Sequence, residues 1–192
     1  MSLTTSVKNF FKNIREEFFS KKPLPSSNLF EISKDDPTDV IFAKNLNNSG
    51  GKFFYCKDEQ NLKKILDKLI SHLDINKLYC PDNKLQNTFN LDSLTVKLDN
   101  KNNYQGIITN CEFIIADQGK VMLSSEQIQN KKISNLPKEL IIISYTSQIV
   151  RRINDAMRSL TKKYKDKIPS NISTIGNGEK NINVIIIEDF KT

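Results

Sequence analysis

Apolar positions along the chain fall in short periodic blocks separated by polar stretches, and the period changes from block to block. Val7, Phe10, Phe11, Ile14 and Phe18 recur at helical spacing behind the polar cluster Thr4, Thr5, Ser6, which predicts an amphipathic helix with an N-cap at hand. The stretch KKPLPSS ends it, because Pro23 and Pro25 each push the preceding residue out of the helical region. Residues 1–35 thus read as an N-terminal helix and linker, and residues 36–192 as the body.

In the body, short strand-like runs alternate with helical stretches, the pattern of an α/β domain with a mainly parallel sheet in three layers. Asp39 to Leu46 predicts a helix that Ser49-Gly50-Gly51 ends, and KFFYC at 52–56 a buried strand. The helical stripe Leu62, Ile65, Leu66, Leu69, Leu73 followed by KLYC at 77–80 completes one βαβ unit. Leu94 to Leu98 and Gly106 to Thr109 are further strand candidates around the polar loop 99–103. FIIADQGKVML places two apolar runs around a turn with Gly119 where positive φ is needed, an inserted antiparallel hairpin over 113–123. ELIIISY at 139–145 is nearly continuous in β-branched residues and is expected at the sheet centre. Ile149, Val150, Ile153, Ala156, Met157, Leu160 and Tyr164 then share one face of a long helix capped by Thr146 or Ser147. NISTI and INVIIIED close the chain as two strands joined by a tight turn.

Composition changes this picture little. A chain of 192 residues is long enough to bury a core without disulfides or a structural metal. No apolar run approaches the roughly 20 residues that span a bilayer, and the N-terminus carries charges where a signal peptide needs an apolar core, so a cytoplasmic protein without membrane insertion is expected. The three cysteines, Cys56, Cys80 and Cys111, each lie in or beside an apolar run and far from one another in sequence, which predicts reduced, buried thiols and no metal centre. The net charge of +7 is dispersed, and its densest run, Lys162, Lys163, Lys165 and Lys167, closes a predicted helix where cations suit the dipole, so no nucleic-acid partner is expected.

Motifs for common chemistries are missing. His72 is the single histidine and sits near the end of a helix, which leaves no multi-histidine metal site. There is no nucleophile elbow, no GxGxxG after the first strand and no GxxxxGK[ST], so neither a hydrolase nor a nucleotide enzyme is indicated, and no cofactor is expected.

Two segments carry more information: GIITNCEFIIADQGKVMLSS at 106–125 and LPKELIIISYTSQIV at 136–150. Through Thr109, Ala116, Asp117, Gly119, Leu123, Pro137, Ser147, Gln148, Ile149 and Val150 the chain resembles the lactate-utilisation (LUD, LutC-type) family, with weaker agreement at 50–56 and 167–173. The resemblance implies a fold similar to the NagB/RpiA/CoA-transferase group. It also implies a role as accessory or subunit beside iron-sulfur proteins that oxidise L-lactate to pyruvate. The family's arginine-bearing segment before the last strand is replaced here by GNGEK, and Asn110 stands where a glycine is common. A small anionic ligand is expected near Thr109, Asn110, Asp117, Gly119, Lys120, Thr146 and Gln148, of which Thr109 ends a parallel strand, where open α/β sheets bind ligands. Asp117 and Gly119 also suit a plain hairpin turn and Ser147 a plain helix cap. Two alternatives stay open. One is an enzyme acting on a phosphorylated sugar or acyl-CoA with Glu112 or Asp117 as nucleophile or base. The other is a docking module working through the phenylalanines of the N-terminal helix. Homo-oligomerisation is left open as well.

Overall fold

The computed structural model describes residues 5–19, 29–91, 104–165, 167–178 and 180–189. Its organising element is a five-stranded sheet built from β1 (Lys52–Cys56), β2 (Leu78–Tyr79), β3 (Gly106–Thr109), β6 (Glu139–Tyr145) and β9 (Asn181–Ile187). The order is β1-β9-β6-β3-β2 and every pair is parallel. The β-branched run at 139–145 occupies the centre, as its composition predicted, because a strand covered on both faces must be apolar at nearly every position.

Side-chain alternation divides the core. Leu140, Ile142, Ile182, Val184 and Ile186 face one side, while Ile141, Ile143, Ile185 and Ile187 face the other. The second side is covered by α3 (Glu59–His72) and α4 (Asn83–Thr88) through Leu62, Ile65, Leu66, Leu69 and Leu85. The first side is covered by α2 (Thr38–Asn48) and by a smaller sheet of β4 (Phe113–Ile115), β5 (Lys120–Ser124), β7 (Ile149–Val150) and β8 (Ile172–Ile175) in the order β7-β4-β5-β8. The outer face of that small sheet, Ile115 and Met122, packs on Ala156 and Leu160 of α5 (Ile153–Tyr164). The α/β class, the mainly parallel sheet and the inserted hairpin β4–β5 therefore agree with the sequence reading.

The hairpin turn shows why glycine is required there. Gly119 has φ of 59°, and a Cβ on it would stand 2.8 Å from the backbone of Asn45 and Leu46 in α2. Asn45 Nδ2 donates to Ala116 O at 2.9 Å and fixes the contact.

Three expectations are corrected. The βαβ unit over 52–80 is not a neighbouring pair: β1 and β2 lie on opposite edges, because β9, β6 and β3 pair between them. The helix expected from Ile149 starts only at Ile153, since Ile149 and Val150 pair in parallel with Ile114 and Ile115, and Thr146–Gln148 forms a 3-10 turn instead of a cap. The last two strands are not a hairpin, because β8 pairs with β5 in the small sheet while β9 enters the large one. The linker at 21–27, the strand candidate at 94–98 and the loop at 99–103 lie outside the described residues. Among the described residues no helix is long and apolar enough to cross a membrane.

Helix α1 (Thr5–Phe19) lies along the edge strand β1. Phe11 packs 4.9 Å from the ring of Phe53 and 5.3 Å from Tyr55 on one face, while Phe18 packs 5.3 Å from Phe54 on the other. His72 closes the same corner, its ring 4.6 Å from Phe18. The helix thus straddles an edge whose N–H and C=O groups could otherwise pair with another chain. Phe11→Ala should cost about 3 kcal/mol and promote aggregation through the bared strand. An unchanged urea midpoint, with no aggregation, would show that α1 does not hold the edge.

Candidate functional site

Parallel strands bring their carboxyl ends to one edge, and here the ends are joined in sequence across the sheet by polar contacts. Glu188 N donates to Cys56 O at 3.0 Å, linking β9 to β1. Thr146 Oγ1 donates to Asp189 Oδ2 at 2.8 Å, linking β6 to β9. Gln148 Nε2 donates to Cys111 O at 2.6 Å, while its Oε1 accepts from Tyr145 N at 2.8 Å and Ser144 Oγ at 3.0 Å, tying β6 to the β3–β4 loop. Asn110 Nδ2 donates to Asp82 Oδ2 at 2.9 Å, linking β3 to the segment after β2. That bond fixes which way the amide points. Asn110 Oδ1 is then buried without a hydrogen-bond partner, an acceptor that a ligand's hydroxyl or ammonium could satisfy.

Of the residues expected to form one site, Asn110, Thr146 and Gln148 share this edge, and Thr109 lies beneath it. Thr109 is fully buried and donates to Gln127 O at 2.9 Å, so its hydroxyl already has a partner. Asp117, Gly119 and Lys120 are not brought to the edge. They sit at the far end of the hairpin, where Asp117 N donates to Arg151 O at 3.1 Å and the Asp117 carboxylate pairs with Arg151 and lies 3.6 Å from Arg152 Nε. These contacts dock the hairpin turn onto the start of α5.

Glu112, at the end of the β3–β4 loop, forms a hub that sequence reasoning weighed only as a nucleophile or base. It is 1% exposed. Its Oε1 lies 2.9 Å from Ser124 Oγ, 2.8 Å from Gln127 Nε2 and 2.8 Å from Tyr164 OH, and its Oε2 accepts from Lys163 Nζ at 2.8 Å. Burial pushes the carboxyl up, but the hydrogen bonds from Lys163, Gln127, Tyr164 and Ser124 outweigh it and hold the group below its ordinary value. Burial and the adjacent carboxylate push the Tyr164 phenol up. A carboxylate shut from solvent with both oxygens hydrogen-bonded is an anchor between β5, the following loop and α5. The sequence does carry a signal: a single acid inside the apolar run CEFII has to be buried and paired.

The thiols are buried and free, with Cys56 and Cys111 each pushed up to about 12 and Cys80 to about 11, first of all by burial. Protonated at neutral pH, they are poor nucleophiles and poor metal ligands. Among the described residues no group of three or more His, Cys, Asp or Glu side chains is placed to hold a metal ion.

An open parallel α/β sheet with a docked hairpin sheet is the class of protein that this architecture defines. The LUD domain model matches residues 98–190, the span that holds β3 to β9, so this part of the chain is similar to the LUD domain. The ten residues from Thr109 to Val150 that carried the resemblance fall inside the matched span, whereas the weaker agreement at 50–56 lies outside it. A crystal structure of a DUF162 family protein from Deinococcus radiodurans shares the fold with a TM-score of 0.60 at 12% identity, covering 83% of this chain and 100% of that one. No curated protein matches the chain.

Glu112→Gln should destabilise the protein by about 2 kcal/mol, the low side of the range for breaking a buried charged contact, because Lys163 is 50% exposed and can turn to water. The sign with pH follows from the lowered carboxyl. Its contribution is fully present above the ordinary value of 4.5 and is lost as pH falls through the lower folded value. Urea unfolding of wild type and variant at a series of pH values should show their gap closing in acid. A gap that is constant with pH would rule out the charged carboxylate as its source.

Proposed function

We propose that this chain is a LutC-like accessory or subunit protein of L-lactate utilisation in the cytoplasm. It works beside iron-sulfur proteins that carry the electrons, and it binds a small anionic ligand at the carboxyl edge of its parallel sheet. The match of residues 98–190 to the LUD domain model is the observation that supports the pathway. Oxidation of lactate to pyruvate removes two electrons, and the three cysteines here are buried and protonated, so the acceptor in this reading belongs to partner proteins.

For the ligand, support comes from the unpartnered Asn110 Oδ1. A 2-hydroxy acid offers this acceptor a hydroxyl donor, and Thr146 on the neighbouring strand end is half-buried beside it in the strand order. Asp117, Gly119 and Lys120 belong to this reading only as the turn that seats the hairpin.

Tagged protein isolated from its own cells should bring down proteins with iron-sulfur absorbance, and L-lactate should raise its melting temperature in an Asn110-dependent way. A ligand at a hundredfold excess over its Kd adds about 2.7 kcal/mol of stability. Isolation without any iron-sulfur protein would overturn the partnership. A lactate shift unchanged in Asn110→Ala would overturn the edge as the binding place.

A further inference from the structure

The carboxyl end of β1, at the opposite end of the strand order from Asn110, opens into a cleft of about 420 Å³ between α1, β1 and the first turn of α3. Three cations line it, Lys12 and Arg15 from α1 and Lys57 from the β1–α3 loop, together with the amides of Asn9 and Asn61. Among the described residues no carboxylate lines it. The aromatic wall is Phe11 stacked on Tyr55, and the Tyr55 hydroxyl is buried without a hydrogen-bond partner. Burial pushes this phenol up first of all, and the Glu188 carboxylate, which does not line the cleft but faces the hydroxyl, pushes it further.

Neutralising charges are few. Among the described residues neither Arg15 nor Lys57 takes part in an ion pair. Lys12 meets Glu16 at 3.8 Å, but both side chains are 60% exposed, so that contact holds Lys12 weakly. Asp58 is turned to α3, where its carboxylate accepts from Asn61 N at 2.7 Å. The first turn of a 14-residue helix adds its positive dipole end to the three cations.

A second cleft of about 640 Å³ adjoins the first and shares Arg15 and Asn61 with it. Phe19, Ile65 and the stems of Lys64 and Lys68 give it apolar walls, and the carboxylates of Glu16 and Asp67 line it as well. A cationic chamber rich in donors that opens into a larger, more apolar one matches a ligand with a dianionic head and a carbon body.

We infer that the cleft between α1, β1 and α3 binds the phosphate group of a phosphorylated small molecule, whose carbon body lies in the adjoining cleft. A phosphate dianion can take the planar guanidinium fork of Arg15 with two oxygens and still offer a third to a lysine, whereas a carboxylate has only two oxygens and one charge. This site stands apart from the lactate reading, since it uses no residue of the β3 and β6 strand ends.

Phenyl phosphate, inorganic phosphate and sodium L-lactate should each be titrated into the full chain at matched ionic strength, following backbone amide shifts. Phenyl phosphate should give saturable shifts over residues 9–15 and 55–68 and bind more tightly than inorganic phosphate, with lactate leaving these amides unmoved. Arg15→Ala and Lys57→Ala should each weaken binding about tenfold, and Asn110→Ala should not change it. Lys57 lies in an exposed loop, so its variant should melt with wild type and separates lost binding from lost folding. Equal affinity for both phosphates would remove the second cleft from the proposal. Unsaturable shifts, equal response to lactate, or full binding in Lys57→Ala would overturn the site itself.

Discussion

Seven residues of β6 pair in register with seven of β9, from Glu139 against Asn181 to Tyr145 against Ile187, and nearly all their side chains are buried on both faces. A parallel pair of this kind cannot close with a tight turn, so the chain between the two strands must leave the sheet and return by a crossover. It uses that excursion to build β7, α5 and β8. It also cannot stand uncovered. The two apolar faces call for one layer of α3 and α4 and another of α2 with the small sheet, and the rest of the architecture serves that demand.

The same pairing creates the polar edge. Parallel strands end together, leaving carbonyls and loop backbones at one margin, and these are satisfied by side chains reaching across from the next strand: Gln148 to Cys111, Thr146 to Asp189, Asn110 to Asp82. Glu112 plays the corresponding part below, joining the small sheet to α5 with four hydrogen-bonding neighbours. Many polar groups near the edge are therefore committed to holding strand ends in place, and among the described residues the buried side-chain atoms left without a hydrogen-bond partner are Asn110 Oδ1 and the Tyr55 hydroxyl, the latter facing the Glu188 carboxylate.

Much of the candidate site was visible residue by residue and invisible as a group. Thr109, Asn110, Thr146 and Gln148 were selected from motifs around β3 and β6, and the two strands are neighbours, so their ends do converge. Asp117, Gly119 and Lys120 belonged to the same sequence motif as Thr109, yet the three residues of β4 carry them away from the edge to α2. Proximity in sequence misled because an extended strand separates its two ends by its full length. The cleft of Lys12, Arg15 and Lys57 left no motif, since its parts come from a helix and a loop more than 40 positions apart that only the packing of Phe11 on Phe53 and Tyr55 brings together.

By itself the sequence determined what local physics decides. The helical stripes of α1, α2 and α3, the β-branched centre at 139–145, the glycine turn at 119 and the buried, reduced cysteines all follow from periodicity, propensity and the cost of exposing apolar surface. Tertiary structure alone decided that β9 inserts between β1 and β6, that Ile149 and Val150 pair with β4 before α5 begins, and that β8 joins the small sheet. Each of these is a choice of strand partner. An apolar β-branched run fits any open sheet edge about equally well, and which edge it meets is set by the rest of the chain, which a local reading cannot weigh.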